Sequence, residues 1–529
     1  MATKHQDRDN DPPFTQFACI GSGFSAIALG ATLKRWYGIT SIRFFEKEAD
    51  LGGTWFVNKY PGCACDIPSA LYSFSFERNP DWSRFLPPAD ELHAYLRRVA
   101  NKYDLIDKMS FGKEVTRAEW VEDRARWRLT VRDGTTREEE VVECQFLFSG
   151  AGQFTQPREL DDHIKGKETF EGVMVHSARW PKGDDDRISF LRDKSVVVIG
   201  NGCTAAQIVP SIVGEVKQLT QVARSKHWIY PPVDDKVASW EKWLLRHSPG
   251  LTALQRFMSY SVAEKDWKGF RMDRTGERFR RSKRRMVEAY MRSKAPEKYH
   301  DLLVPDFEIG CKRRIFDSGY LASLHAKNLT LTNKQVVEIL PRGVRLESGE
   351  VVEADAIILA TGFATNNSYI GGIEIVGRGG ETVRDHFDSF GGPEAYNLTA
   401  LSGFPNFFLL LGPNTATGHT STVMIIENAV NYALRVIKPV LQGQASVAEI
   451  KRPAEEVYVD QLQKALAKTV WATGCSSWYV RGEAGKTWNG MSYPWSQAWY
   501  WWSCLLPVWD HWQFRVSFFL VMYSILLLC

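Results

Sequence analysis

Twice along this chain a short apolar run closes on glycine and is followed by apolar residues at a spacing of three to four. The first, FACIGSGFSAIALGATLKRW at 17 to 36, predicts a strand over 17 to 20, a glycine turn and a helix from about Ser25 to Trp36. IRFFEK then predicts a second strand ending in Glu46. The second, SVVVIGNGCTAAQIVPSIVGEVKQLTQVAR at 195 to 224, repeats that plan. Further buried strands are predicted in CQFLFSGAG at 144 to 152, in EADAIIL before LATGF at 359 to 363, and in GFPNFFLLLGPN at 403 to 414. From 233 to 306 the pattern turns charged and rich in Trp and Met, predicting several helices laid over the second unit. TVMIIENAVNYALRVI predicts a long helix capped by Ser421 or Thr422.

Between the two units lies FEGVMVHSARWP, residues 170 to 181. As a connection it is unusually furnished. Gly172 is expected to permit a turn, Phe170 and Trp180 to anchor, His176 to act as a hydrogen-bonding pivot, and Pro181 to stiffen the exit.

The strand, turn, helix and strand of the first unit, with an acid 25 residues beyond Gly21, form a dinucleotide-binding fingerprint. Gly21 suits the tight turn, Gly23 lets backbone approach a pyrophosphate at the helix N-terminus, Ala26 fills the third small position, and Glu46 is placed to accept ribose hydroxyls. In the second unit Gly200, Gly202 and Ala205 take the small positions, but the second strand runs into Arg224, Ser225 and Lys226 with no carboxylate. A guanidinium there attracts a 2'-phosphate, so NADPH is expected over NADH. The fold class expected is α/β with two Rossmann-like dinucleotide-binding domains, the second carrying a helical insertion. Residues 1–152 and 391–500 are assigned to the first domain, 153–232 and 307–390 to the second, 233–306 to the insertion, and 501–529 to a hydrophobic C-terminal segment.

Composition narrows the partners. Lys and Arg number 66 against 62 Asp and Glu, a net charge of +4, which argues against nucleic acid. The basic run RRSKRR reads as a solvated helix face beside Glu277 and Glu288, or as an anion patch. Nine scattered cysteines without a C-x-x-C pair suggest a reducing compartment and no metal site, and Cys63 and Cys65 are too close for a flavin disulfide reductase. No apolar leader precedes the first strand, so the expected location is the cytoplasmic side. After Arg515, VSFFLVMYSILLLC runs 14 residues without charge. That is short of the roughly 17 to 25 needed to span a bilayer, leaving a tail or interfacial membrane contact or a buried terminus.

On these residues the chain resembles the Baeyer-Villiger monooxygenases, flavoproteins using FAD, NADPH and O2. The likeness covers roughly 15 to 500 and rests on the paired glycine units, GGTW (Gly52, Gly53, Thr54, Trp55), YPGCACD ending in Asp66, GCKRR at 310 to 314, LATGF, and the full pattern F-x-G-x-x-x-H-x-x-x-W-P. It implies hydride transfer from NADPH to FAD, a flavin C4a-peroxide, and its attack on a ketone to give an ester or lactone. It implies Arg313 as active-site arginine, Asp66 as its positioning partner and a residue of the cofactor site, Lys312 with Arg224 and Ser225 on the NADPH 2'-phosphate, and Trp478 on a mobile substrate loop. Related N- or S-oxygenating enzymes, the alternative, usually end the pattern in another aromatic than Trp180. GPNTATGHTS and DIPSALYSFSFERNPDWSRF look more like fungal members of specialised metabolism, implying a bulky polyketide- or terpenoid-like ketone.

Overall fold

The computed structural model describes residues 11–154, 156–181, 186–233, 236–365, 368–475, 479–480 and 487–515. Trp478 and the run 516–529 lie outside the described residues.

Strand Phe14–Ile20 is paired in parallel on both sides, to Ile42–Glu46 and to Glu139–Ser149. A strand flanked this way and covered on both faces must be apolar at nearly every position, which is why FACI and IRFFE read as runs instead of alternations. These strands sit inside an eight-stranded sheet that also takes in Met109–Phe111, the antiparallel pair Lys113–Val121 and Arg126–Asp133, and the later strands Glu374–Val376 and Phe407–Leu409. Helix Phe24–Tyr37 packs on it, and Thr422–Val436 packs on that helix. Ser421, whose hydroxyl accepts from the Val423 N–H at 3.2 Å, is the residue that caps the latter.

The second sheet has five parallel strands in the spatial order Leu329–Thr332, Gln218–Val222, Ser195–Ile199, Ala356–Leu359 and Val173–His176. The stretch expected as a connection thus contains an edge strand, Val173–His176, in register with Ala356–Leu359, followed by one 3-10 turn over Ser177–Arg179. Gly172 stands at a bend, as expected. Its φ is not left-handed, and its role is spatial: a Cβ there would lie 2.3 Å from the Asp355 carbonyl oxygen and 2.7 Å from the Phe170 ring. Phe170 is half-buried against a small second core of Leu160, Val197, Val336, Val344 and Ile357.

The inserted helices divide between the two units instead of lying over the second alone. Arg274–Lys294 packs on second-unit segments. The hairpin Ser239–His247 and Pro249–Lys265 is tied to the first, through Val237 to the Ser83 carbonyl at 2.9 Å and Arg256 to the carbonyls of Ala70 and Ser73 at 2.8 Å each. The basic run is only partly a solvated face. Arg280 is buried and donates to Glu308 at 2.8 Å, whereas Arg281 pairs outside with Glu277 at 2.6 Å. Cys311 and Cys475, expected reduced, are joined as a disulfide across 164 residues. Among the described residues no helix is long and apolar enough to cross a membrane.

Candidate active site

At the first glycine turn Gly21 has φ +94°, and an added Cβ would stand 2.6 Å from the Gly150 carbonyl oxygen. GGTW folds over that turn: Gly23 and Gly53 face each other so closely that a Cβ on Gly53 would lie 3.4 Å from the Gly23 Cα. Gly52 (φ +120°) donates to the Ser22 carbonyl at 3.2 Å. Two glycine backbones are therefore laid bare around one helix N-terminus, an arrangement suited to a pyrophosphate. Ala26 is fully buried against the sheet, and Trp55 is buried edge-on to Tyr72 at 5.5 Å between ring centres, while Thr54 is exposed. Glu46, expected to face ribose, is buried and tied to the turn itself. Its Oε2 accepts from the Ser22 N–H and hydroxyl at 2.9 and 2.8 Å, and its Oε1 from the Glu48 N–H at 2.9 Å. Burial pushes its carboxyl up, an effect these hydrogen bonds only partly offset.

The second turn is built likewise. Gly200 (φ +136°) leaves a Cβ no room, 2.3 Å from the Ala360 carbonyl oxygen, whereas Gly202 faces open space on the same turn, and Ala205 is fully buried. Beyond the strand, Arg224 is exposed and Ser225 half-buried, its carbonyl accepting from Asn201 Nδ2 at 2.8 Å. Lys312 comes close to them from a distant loop. Its ammonium is depressed by burial and then by the charge of Arg224, and among the described residues neither cation has an ion-pair partner. His227 completes the group: its Nδ1 is buried without a hydrogen-bond partner, and burial, then Lys312, lowers its pKa to about 4. Two repelling cations beside a half-buried neutral imidazole are stabilised by an anion placed among them. The sequence reading missed His227, although HW directly follows the basic residues.

YPGCACD joins the two units. Gly62 (φ +78°) packs on the helix Cys203–Ile212, where a Cβ would stand 2.4 Å from the Ser211 hydroxyl and 2.7 Å from the Gln207 carbonyl oxygen. Tyr60 donates to Gln207 Oε1 at 2.9 Å, and Gln207 Nε2 donates to the Ala64 carbonyl at 3.0 Å. Held there, Asp66 forms a two-pronged pair with Arg313, both bonds at 2.6 Å, close enough to Cys203 at the start of that helix to influence its thiol. Burial opposes both charges, but their attraction outweighs it: Asp66 is held below the usual carboxylate range and Arg313 well above the usual guanidinium value. Side-chain exposures of 31% for Arg313 and 24% for Asp66 show that the pair keeps one open side. A small cavity meets Arg313 and Lys312, walled by Phe270, Trp471, Tyr479 and His419. Phe270 stacks on Trp471 at 4.7 Å, Arg314 is held by Asp266 at 2.6 Å, and His419 by Glu264 at 2.9 Å.

His176 has both ring nitrogens occupied. Nδ1 accepts from the Ala178 N–H at 3.0 Å, so Nε2 carries the proton and donates to the Gly362 carbonyl at 3.1 Å. It thereby binds the edge strand to LATGF, and burial keeps its pKa below the usual histidine value. Trp180 is buried with its indole N–H on the Arg187 carbonyl at 2.8 Å, and Pro181 is exposed.

The family model described as "Flavin-binding monooxygenase-like" matches residues 15–268. A "Baeyer-Villiger monooxygenase" of Pseudomonas aeruginosa is 35% identical over 482 residues, covering 90% of this chain and 88% of that protein. Another of Streptomyces coelicolor is 34% identical over 479 residues, covering 89% and 88%. An "FAD-binding monooxygenase" of Aspergillus terreus, tazF, is 31% identical over 519 residues, covering 92% and 87%. Among solved structures, cyclohexanone monooxygenase from Rhodococcus sp. Phi1 bound to NADP+ shares the fold with a TM-score of 0.82 at 24% identity, covering 96% of this chain and 100% of that one.

Proposed function

This chain belongs to the Baeyer-Villiger monooxygenase family of flavin-binding monooxygenases, and on that premise we propose that its substrate is a bulky, apolar ketone converted to an ester or lactone. The enzyme is FAD- and NADPH-dependent and uses O2. Its own residues fit both nucleotides. Gly21, Gly23, Gly52 and Gly53 would hold the FAD pyrophosphate, with Ala26, Thr54, Trp55 and Glu46 shaping that site. Gly200, Gly202 and Ala205 would hold the NADPH pyrophosphate, and Arg224, Ser225 and Lys312 its 2'-phosphate. When bound, the two supply hydride and activated oxygen.

The observation that carries the reading is the Arg313–Asp66 pair at the seam of the two units. Attack on a ketone carbonyl builds negative charge on its oxygen, and a fixed cation aimed there in a site sheltered from water stabilises that charge. Arg313 meets the need because its charge is permanent, and Asp66 aims it without carrying a proton. Phe270 and Trp471 would give an apolar substrate two aromatic walls beside the charged lining of Lys312, Arg313 and Arg314. His176 acts through LATGF on how the units meet, and Trp478 is assigned to the substrate loop beside Tyr479. The relatives at 35% and 34% identity are bacterial and the one from Aspergillus terreus is 31% identical, so a place in fungal specialised metabolism rests on GPNTATGHTS and DIPSALYSFSFERNPDWSRF alone.

Purified protein supplied with NADPH and air tests this against oxygenation at nitrogen or sulfur. The expected product is ester or lactone from polycyclic ketones in preference to small cyclic ones. Products from amines or thioethers alone would overturn it.

A further inference from the structure

The helical hairpin carries its apolar residues on the wrong side for a soluble protein. On Ser239–His247, Trp240, Trp243 and Leu244 recur at the spacing of one helix face, and on Pro249–Lys265, Leu254, Phe257, Met258 and Val262 do the same. All seven are exposed, Phe257 at 64% and Val262 at 67%. The opposite side of the second helix is what binds the protein, through Arg256. Its C-terminal end adjoins a second exposed apolar segment. Glu264 accepts from the Ala498 N–H at 3.0 Å, and from there Trp499, Trp501, Trp502, Leu506, Val508 and Trp509 are exposed in turn.

We propose that this face is a membrane-contact surface that seats the enzyme on an anionic bilayer. Three observations select lipid over a second copy of the chain. Tryptophan dominates the face, as at the boundary between headgroups and acyl chains. Lys236, Lys242, Lys265 and Lys268 lie along it with no ion-pair partner among the described residues, whereas the acids Glu264 and Asp266 are turned inward onto His419 and Arg314, Glu241 caps its own helix at the Ala238 N–H, and Asp510 is exposed beside Trp509. Unpaired lysines suit lipid phosphate and are depleted in protein interfaces. Seven residues beyond Trp509 the chain enters its 14-residue uncharged run, and stable attachment to a bilayer takes two such weak elements. The surface is independent of the oxygenation reading.

The test is sedimentation of the full-length flavin-loaded protein with phosphatidylcholine vesicles, with or without about one third phosphatidylglycerol. At least about five-fold more protein is expected to pellet with the anionic vesicles, and high salt should reverse the gain. Phe257→Asp with Val262→Asp should abolish pelleting while retaining bound flavin and NADPH oxidation. Should that pair lose flavin, Phe257→Ser with Val262→Ser supplies the comparison. The proposal is overturned if wild type ignores vesicles, if the variants bind like wild type, which would assign attachment to the terminal run, or if light scattering shows a dimer that they split.

Discussion

Replacing Asp66 with Asn keeps the volume and one acceptor at the seam but removes the charge opposite Arg313. The two bonds lost or weakened are both 2.6 Å, and the partners are 24% and 31% exposed. Breaking a fully buried pair costs about 3 to 5 kcal/mol and an exposed one about 0 to 1, so this geometry sets the loss at about 2 kcal/mol. Falling on the transition state, that is about 30-fold in the rate of ester formation. Because Asp66 touches neither glycine turn, bound flavin and the KM for NADPH should change little. The assay is kcat for ester product together with NADPH consumed per product, which should rise as Arg313 loses its aim. A variant that retains kcat and coupling within about two-fold would refute the assignment of Asp66 as positioning residue.

Other consequences are equally direct. Gly202→Ala meets open space and has an ordinary φ, so thermal unfolding should be unchanged while the KM for NADPH rises, whereas Gly200→Ala, 2.3 Å from a backbone oxygen at φ +136°, should impair folding of the second unit. Lys312→Ala should raise the KM for NADPH about 10- to 100-fold, the worth of a charge-assisted bond to phosphate, and leave that for NADH alone. His176→Ala strands a buried N–H and the Gly362 carbonyl, and denaturant titration should show a loss of about 2 to 4 kcal/mol with flavin still bound. Buried His386 is raised to about 9 because Glu394 and Glu455 outweigh its burial, with Arg452 and Glu381 also facing it. Its contribution to stability is complete below pH 6.5 and lost as pH rises through about 9, and Glu394, raised to about 8 by burial and the Glu455 charge, works in the same direction, so unfolding midpoints should fall across that window in wild type and the window should move in His386→Gln.

Both glycine turns were legible because each is a local device, in which a left-handed φ and a carbonyl in van der Waals contact leave only glycine at Gly21 and Gly200. The strands beside them were legible because burial on both faces demands unbroken apolar runs. What stayed hidden is assembled over long separations. Phe270 stacks on Trp471, and Cys311 meets Cys475, across stretches without shared periodicity. The bend at Gly172 is legible, but its close approach to Asp355, nearly two hundred residues away, is not. The hairpin was misplaced for a different reason: its apolar spacing is helical, but spacing alone does not say whether a face meets core or surroundings.

The central claim, that a fixed cation at the seam serves the ketone, is tested most directly by Arg313→Ala in the flavin-loaded enzyme. Product is measured under air with NADPH and ketone, beside flavin content. The account predicts flavin retained and ester formation lost. Ester formed at the wild-type rate would contradict it.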